Sequence, residues 1–181
     1  MSQTFASAIN VILFAILITV ASAEPGLVGA CRNQTISTVH GFVPANYLGM
    51  WYEIGHSKSF YFDHGCQKTF AQYKLMTEQS IYVNNTCLRD GIWKSAIGKG
   101  NIVGDGKLEV SFFGPFEAPY DVVYLTDDYS VSLVVSCTEL GGSNLWVLSR
   151  EPEMDDVTLH GYLQIFTREG FVVSDFTRTV Q

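Results

Sequence analysis

Basic residues are scarce in this chain of 181 residues: 11 Lys and Arg stand against 18 Asp and Glu, for a formal net charge of −7. They form no run. A surface of that sign repels a phosphate backbone and an anionic leaflet, so nucleic acid is not an expected partner. Chemistry-bearing motifs are also missing. There is no C-x-x-C pair, which argues against a zinc site or a dithiol centre. His40, His56, His64 and His160 are scattered without H-E-x-x-H spacing, and no G-x-S-x-G occurs. The acidic pairs Asp127-Asp128 and Asp155-Asp156 fall at a turn and a helix start, where solvation and capping account for them. No enzymatic activity, cofactor or metal is expected. Charged residues make up only 16% and apolar residues 47%, a balance that fits a folded domain and not a disordered one. Internal repeats and low-complexity linkers are absent, so no boundary divides the body of the chain.

The longest apolar run, Val11 to Ala21, is too short for about 30 Å of hydrocarbon, and the helix breakers Pro25-Gly26 follow it. Ala21-Ser22-Ala23 is an A-x-A cleavage site, although no Lys or Arg precedes the run. Residues 1–23 are therefore expected to be a signal peptide and 24–181 a single secreted, extracellular domain. Val28-Gly29-Ala30-Cys31 has the form of a lipobox, but Glu24-Pro25-Gly26 separates it from the apolar run. Export gives meaning to two glycosylation sequons, at Asn33 and Asn84.

Four cysteines, Cys31, Cys66, Cys87 and Cys137, imply two disulfides in an oxidising compartment, with three connectivities open. Residues 67–75 and 80–86 form two strands joined near Thr77-Glu78. That hairpin brings Cys66 opposite Cys87 within one residue of register, provided a small bulge aligns them. Ala71 and Tyr73 then share a face with Ile81 and Val83. The remaining pair, Cys31 and Cys137, would close about a hundred residues, worth up to ~4.7 kcal/mol in the chain-entropy model.

From Trp51 to Arg150, short runs rich in Val, Ile, Tyr, Phe and Thr alternate with turn signals such as Asp90-Gly91, Gly104-Asp105-Gly106 and Gly114-Pro115. This is an all-β pattern of the sandwich or barrel kind. Alternation sets Leu108, Val110 and Phe112 against Lys107, Glu109 and Ser111, and Val131, Leu133 and Val135 against Ser130, Ser132 and Ser136. Trp146, Leu148 and Arg150 share a face. One helix follows: acidic Glu153, Asp155 and Asp156 suit its N-terminus, Leu159, Tyr162 or Leu163, and Phe166 form its stripe, and Gly170 its C-terminal cap. Phe171–Thr179 forms a last short strand.

Three segments carry a family resemblance. Leu48-Gly49-Met50-Trp51-Tyr52-Glu53-Ile54 resembles the first lipocalin motif, Leu125-Thr126-Asp127-Asp128-Tyr129 the second, and Leu145-Trp146-Val147-Leu148-Ser149-Arg150 the third. With Leu108 to Phe116, they place the likeness in the branch of apolipoprotein D and the bacterial outer-membrane lipocalins. The resemblance implies an all-β, eight-stranded antiparallel up-and-down barrel, open at one end, with the C-terminal α-helix packed outside. It implies that Gly49, Trp51 and Arg150 meet at the closed end in a structural role, the guanidinium stacked on the indole. Cys31–Cys137 matches the family's first bridge. Relatives commonly join the position of Cys66 to a cysteine near the C-terminus; this chain has Cys87 instead.

An eight-stranded barrel is just wide enough for one small ligand. Inward positions at Leu108, Val110, Phe112, Val122, Tyr124, Leu133 and Trp146 are the expected ligand contacts, with Phe112, Tyr124 and Trp146 foremost because aromatic rings offer large contact areas. The expected function is a secreted carrier of a small hydrophobic ligand such as a fatty acid, sterol or retinoid. A pigment carrier for a bilin or carotenoid is one alternative, and a cysteine-dependent lipid isomerase another. Aromatics in the loops at Ser59 to Phe62 and Phe113 to Tyr120 either touch a membrane or lipoprotein or fold back as a lid; the lid is favoured.

Overall fold

The computed structural model describes Cys31 and residues 36–57 and 65–181. The signal-peptide expectation, the Asn33 sequon, His64 and the Ser59 to Phe62 aromatics lie outside the described residues.

Among the described residues, nine strands follow a short helix, α1 (Pro44–Tyr47): β1 (Gly49–Ser57), β2 (Gln67–Thr77), β3 (Ser80–Arg89), β4 (Ile92–Gly104), β5 (Lys107–Phe113), β6 (Phe116–Leu125), β7 (Val131–Cys137), β8 (Ser143–Ser149) and β9 (Phe176–Arg178), with α2 (Asp156–Arg168) before the last. All pairings are antiparallel. Each strand from β2 to β8 pairs with the next, β8 pairs with β1, and β1 pairs with β2 along Gly49 to Tyr52. The sheet thus closes into an eight-strand barrel with one helix outside. Beyond Tyr52, β1 leaves β2 and takes up β9 instead, Gly55 opposite Arg178 and Ser57 opposite Phe176. The backbone bonds Lys68 N to Val180 O and Thr179 N to Ile54 O seat the C-terminal tail between β1 and β2.

The hairpin of β2 and β3 has Tyr73 opposite Val83 and a register shift between Gln67 and Phe70. That bulge aligns the cysteines: Cys66 is bonded to Cys87, and Cys31 to Cys137.

The apolar residues divide into two clusters separated by the sheet. The inner one holds Trp51, Ala71, Tyr73, Ile81, Val83, Leu108, Val110, Val122, Val134 and Leu148, with Phe112, Tyr120 and Trp146 against it. The outer one holds Ile54, Val131, Leu133, Val135, Leu145 and Val147 beneath Leu159 and Phe166 of α2. Asp155 caps the helix by accepting from Thr158 N, and the Thr158 side-chain and backbone bonds hold its carboxyl below the usual range. At the other end Gly170, at φ +86°, turns the chain. There Phe171 N donates to Phe166 O and Gly170 N to Thr167 O, a Schellman closure, and the two Phe rings meet edge to face at 6.1 Å.

Two expected inward positions are corrected here. Leu133 and Tyr124 belong to the outer cluster. In β7 the apolar set Val131, Leu133, Val135 lies under the helix, and the serines Ser132 and Ser136 share the inner face with Val134. Amphipathic alternation predicts the apolar side inward, but the helix makes the outer face the more apolar one. Tyr124 is turned out by a bulge: Val122 opposes Val134, yet Tyr124 opposes Leu133, so Val123 is the extra residue and the parity reverses. The Tyr124 ring instead meets Tyr162 of α2 at 5.9 Å.

Candidate ligand-binding site

One end of the barrel is plugged. Trp51 is wholly buried, and its indole N–H donates to Tyr47 O at 2.8 Å. The Arg150 guanidinium lies over the indole at 3.8 Å. Its fork donates to Met50 O (2.6 Å), Leu48 O (2.9 Å), Asn46 O (3.0 Å) and Tyr129 O (3.2 Å). Gly49 starts β1 at φ +97°, a backbone conformation that favours glycine, beside Arg150 Nη1. The second motif joins the same end. Thr126 Oγ1 accepts from Ser130 N and Val131 N, and the Tyr129 hydroxyl accepts from Val43 N. Asp105 holds the crossing N-terminal segment by accepting from Gly41 N and Phe42 N, bonds that keep its carboxyl below the usual range.

Above Trp51 lies a floor of phenols. The Tyr47 hydroxyl is 2.9 Å from those of Tyr120 and Ser132, and the Tyr73 hydroxyl is 3.1 Å from that of Tyr120. Tyr47 and Tyr73 stack at 5.7 Å. Burial pushes the Tyr47 phenol up to about 12 and those of Tyr73 and Tyr120 well above their ordinary value.

Of the seven expected ligand contacts, the structure brings Leu108, Val110, Phe112, Val122 and Trp146 together on the inner wall, and sets Tyr124 and Leu133 outside. Phe112 leans over β4, where a Cβ on Gly98 would come within 2.8 Å of its ring. Phe112 and Trp146 are half-buried on the inner face.

Sequence reasoning missed the inner residues on the floor and on β1. The turn signals put Tyr120 in a loop, but β6 begins at Phe116 and carries it inward. Glu53 and His56 are buried, at 4% and 6% exposure. Glu53 opposes Leu148 and His56 opposes Trp146, both inner-cluster residues, so both face inward. His56 Nδ1 lies 2.9 Å from Glu53 Oε1, which also accepts from Thr179 Oγ1 at 2.5 Å. The available signal was a charged residue two positions after Trp51, on the same strand face.

The lid expectation is also corrected for the β5–β6 turn. Phe113 and Phe116 flank its tip at 69% and 79% exposure, too open to be packed over the mouth as a lid. Asn84 sits mid-strand on the outer face of β3, opposite Gln72 and Ile97. No described helix is long and apolar enough to cross a membrane.

A closed eight-strand antiparallel barrel with a plugged base, an aromatic lumen and a helix clamped to its flank defines the lipocalin class of ligand-holding barrels. The family model for a lipocalin-like domain matches residues 45–181, and the chain belongs to this family. It is 36% identical to outer membrane lipoprotein Blc of Escherichia coli over 83% of this chain and 88% of that protein. It is 30% identical to apolipoprotein D of Mus musculus over 91% of this chain and 89% of that protein. Insecticyanin of Manduca sexta shares the fold at TM-score 0.69, with 20% identity over 81% of this chain and 85% of its own.

Proposed function

We propose that the protein is an exported carrier that holds one small hydrophobic lipid in the barrel lumen. The observation that carries this reading is the inner wall of Leu108, Val110, Phe112, Val122 and Trp146 above a sealed phenolic floor. Apolar ligand surface moved into such a site leaves water at about 25 cal/mol per Å². The relatives named for lipoproteins point the same way. Cys31 is tied to Cys137, so its sulfur does not carry a lipid anchor of the lipobox kind, which favours a freely secreted form. All four cysteines are bridged, and a thiolate-dependent isomerase has no nucleophile. Phe113 and Phe116 form an apolar tip suited to touching an uncharged lipid surface or lipoprotein while ligand passes.

The test is a fluorescence titration of delipidated protein with fatty acids, a sterol, retinol and biliverdin. Trp51 and Trp146 line the interior and Trp93 the outer face, packed on Phe70. Saturable one-to-one quenching retained in Trp93→Phe and lost in Phe112→Ser supports a lumenal carrier. Absence of quenching by every member counts against it. Biliverdin alone binding would move the reading to a pigment carrier.

A further inference from the structure

An apolar lumen does not account for the wall formed by β1, β9, β2 and β3. Glu53, His56 and Thr179 form a bonded cluster there, and further polar groups surround it. Thr177 opposes His56, Asn85 opposes Ala71, and Thr69 stands two residues before Ala71, so all three share the inner face. Thr69 is only 7% exposed. Thr69 Oγ1, Asn85 Oδ1 and Thr177 Oγ1 are buried without a hydrogen-bond partner. Such atoms are rare in folded proteins because burial strips their water without replacing it. Three on one wall, beside a buried carboxylate, ask for a partner that a threonine rotor or an amide turn can meet from the lumen.

We propose, building on the carrier reading above, that this wall receives a neutral hydroxyl group of the bound lipid and rejects a carboxylate. Charge decides between the two head groups. Glu53 Oε1 already engages His56 at 2.9 Å and accepts from Thr179 at 2.5 Å, so a second carboxylate here would bring more acceptor oxygens to partners that are already taken. Tyr47, Tyr73 and Tyr120 of the floor add no cation, and Arg150 lies beyond Trp51, engaged with four carbonyls. Of the basic residues on inward-facing positions, Arg89 and Lys94 stand at the mouth; the half-buried Arg89 is turned to the disulfide, donating from Nη2 to Cys66 Sγ at 3.3 Å, and Lys94 is solvent-exposed and screened by water. A hydroxyl both donates and accepts, matching the carboxylate, the imidazole and the threonine hydroxyls.

Calorimetry of the full secreted protein with dodecan-1-ol and with dodecanoate at pH 8 tests this. Because a site that hydrogen-bonds a hydroxyl discriminates by its unpaired buried groups, the alcohol is expected to bind about tenfold tighter. Glu53→Gln should tighten dodecanoate and shrink that gap to about threefold or less, and Thr177→Val should weaken the alcohol alone. Dodecanoate binding the native protein as tightly as the alcohol overturns the proposal without any variant. So does binding of retinoate as tightly as retinol where neither dodecyl ligand binds. Failure of every hydrophobic ligand instead overturns the carrier reading itself.

Discussion

Arg150 is the residue on which the closed end depends, because one planar fork serves four backbone carbonyls, at Asn46, Leu48, Met50 and Tyr129. A lysine offers a point charge that cannot span them or stack on Trp51 as a guanidinium does. Arg150→Lys is therefore expected to lower stability by about 2–4 kcal/mol, read as a reduced urea midpoint at unchanged m-value. Phe112 and Tyr124 make the complementary comparison. Both are aromatic, and in sequence both look like lumen residues, yet they face opposite sides of the wall. Phe112→Ser should lose ligand affinity. Tyr124→Ser should instead loosen the helix contact with Tyr162, costing about 1–3 kcal/mol of stability and leaving affinity within about twofold. Equal loss of affinity in both variants would place Tyr124 in the lumen after all.

At the scale of the element, strand positions were legible and strand faces were legible only in part. Lys107–Phe113 and Val131–Cys137 stand where turn signals and β-branched runs put them, and the hairpin from Gln67 carries the expected bulge. Faces failed where a second layer reverses the meaning of polarity. Ser132 reads as a solvent residue, but it is wholly buried and bonded to Tyr47, and Val131 and Leu133 beside it lie under α2. The bulge at Val123 is invisible in composition, since three apolar residues in a row fit any register. The tail that completes the wall beside β1 is also silent in sequence, because Thr177 and Thr179 acquire their roles only from contacts more than a hundred residues away. The helix clamp predicts its own test. Phe166 is fully buried between the sheet and Phe171. Phe166→Ala should cost about 3–5 kcal/mol by leaving a cavity, with the barrel's ligand stoichiometry unchanged in the folded fraction. A cost below about 1 kcal/mol would mean that the site collapses onto the sheet and that α2 is not held by this residue.

For the whole molecule, the barrel has one end sealed by phenols, and this gives it a characteristic response to base. Burial raises the Tyr47 phenol to about 12 and holds Tyr73 and Tyr120 above their ordinary value. In the unfolded chain the same groups lose their protons near pH 10. Below that pH both states are protonated and the contribution to stability is complete. Between about pH 10 and 12 the unfolded state has released protons that the folded state still holds, so stability falls as pH rises. Folding and ionisation are thus coupled through the floor: the three hydroxyls bond one another only while neutral, and a phenolate there would face its neighbours' oxygens without a cation inside the lumen. Alkaline titration followed by phenolate absorbance should show two phases. The more accessible tyrosines ionise first with near-ultraviolet circular dichroism intact. The floor tyrosines follow in a step that coincides with the loss of that signal and of lumenal ligand. Replacing Tyr120 by phenylalanine removes the hydroxyl shared by Tyr47 and Tyr73 and should diminish the second phase while lowering the pH at which the barrel opens. Ionisation of every tyrosine in a single phase near pH 10, with the folded signal retained, would show that the floor is open to water and that the barrel is not sealed at this end.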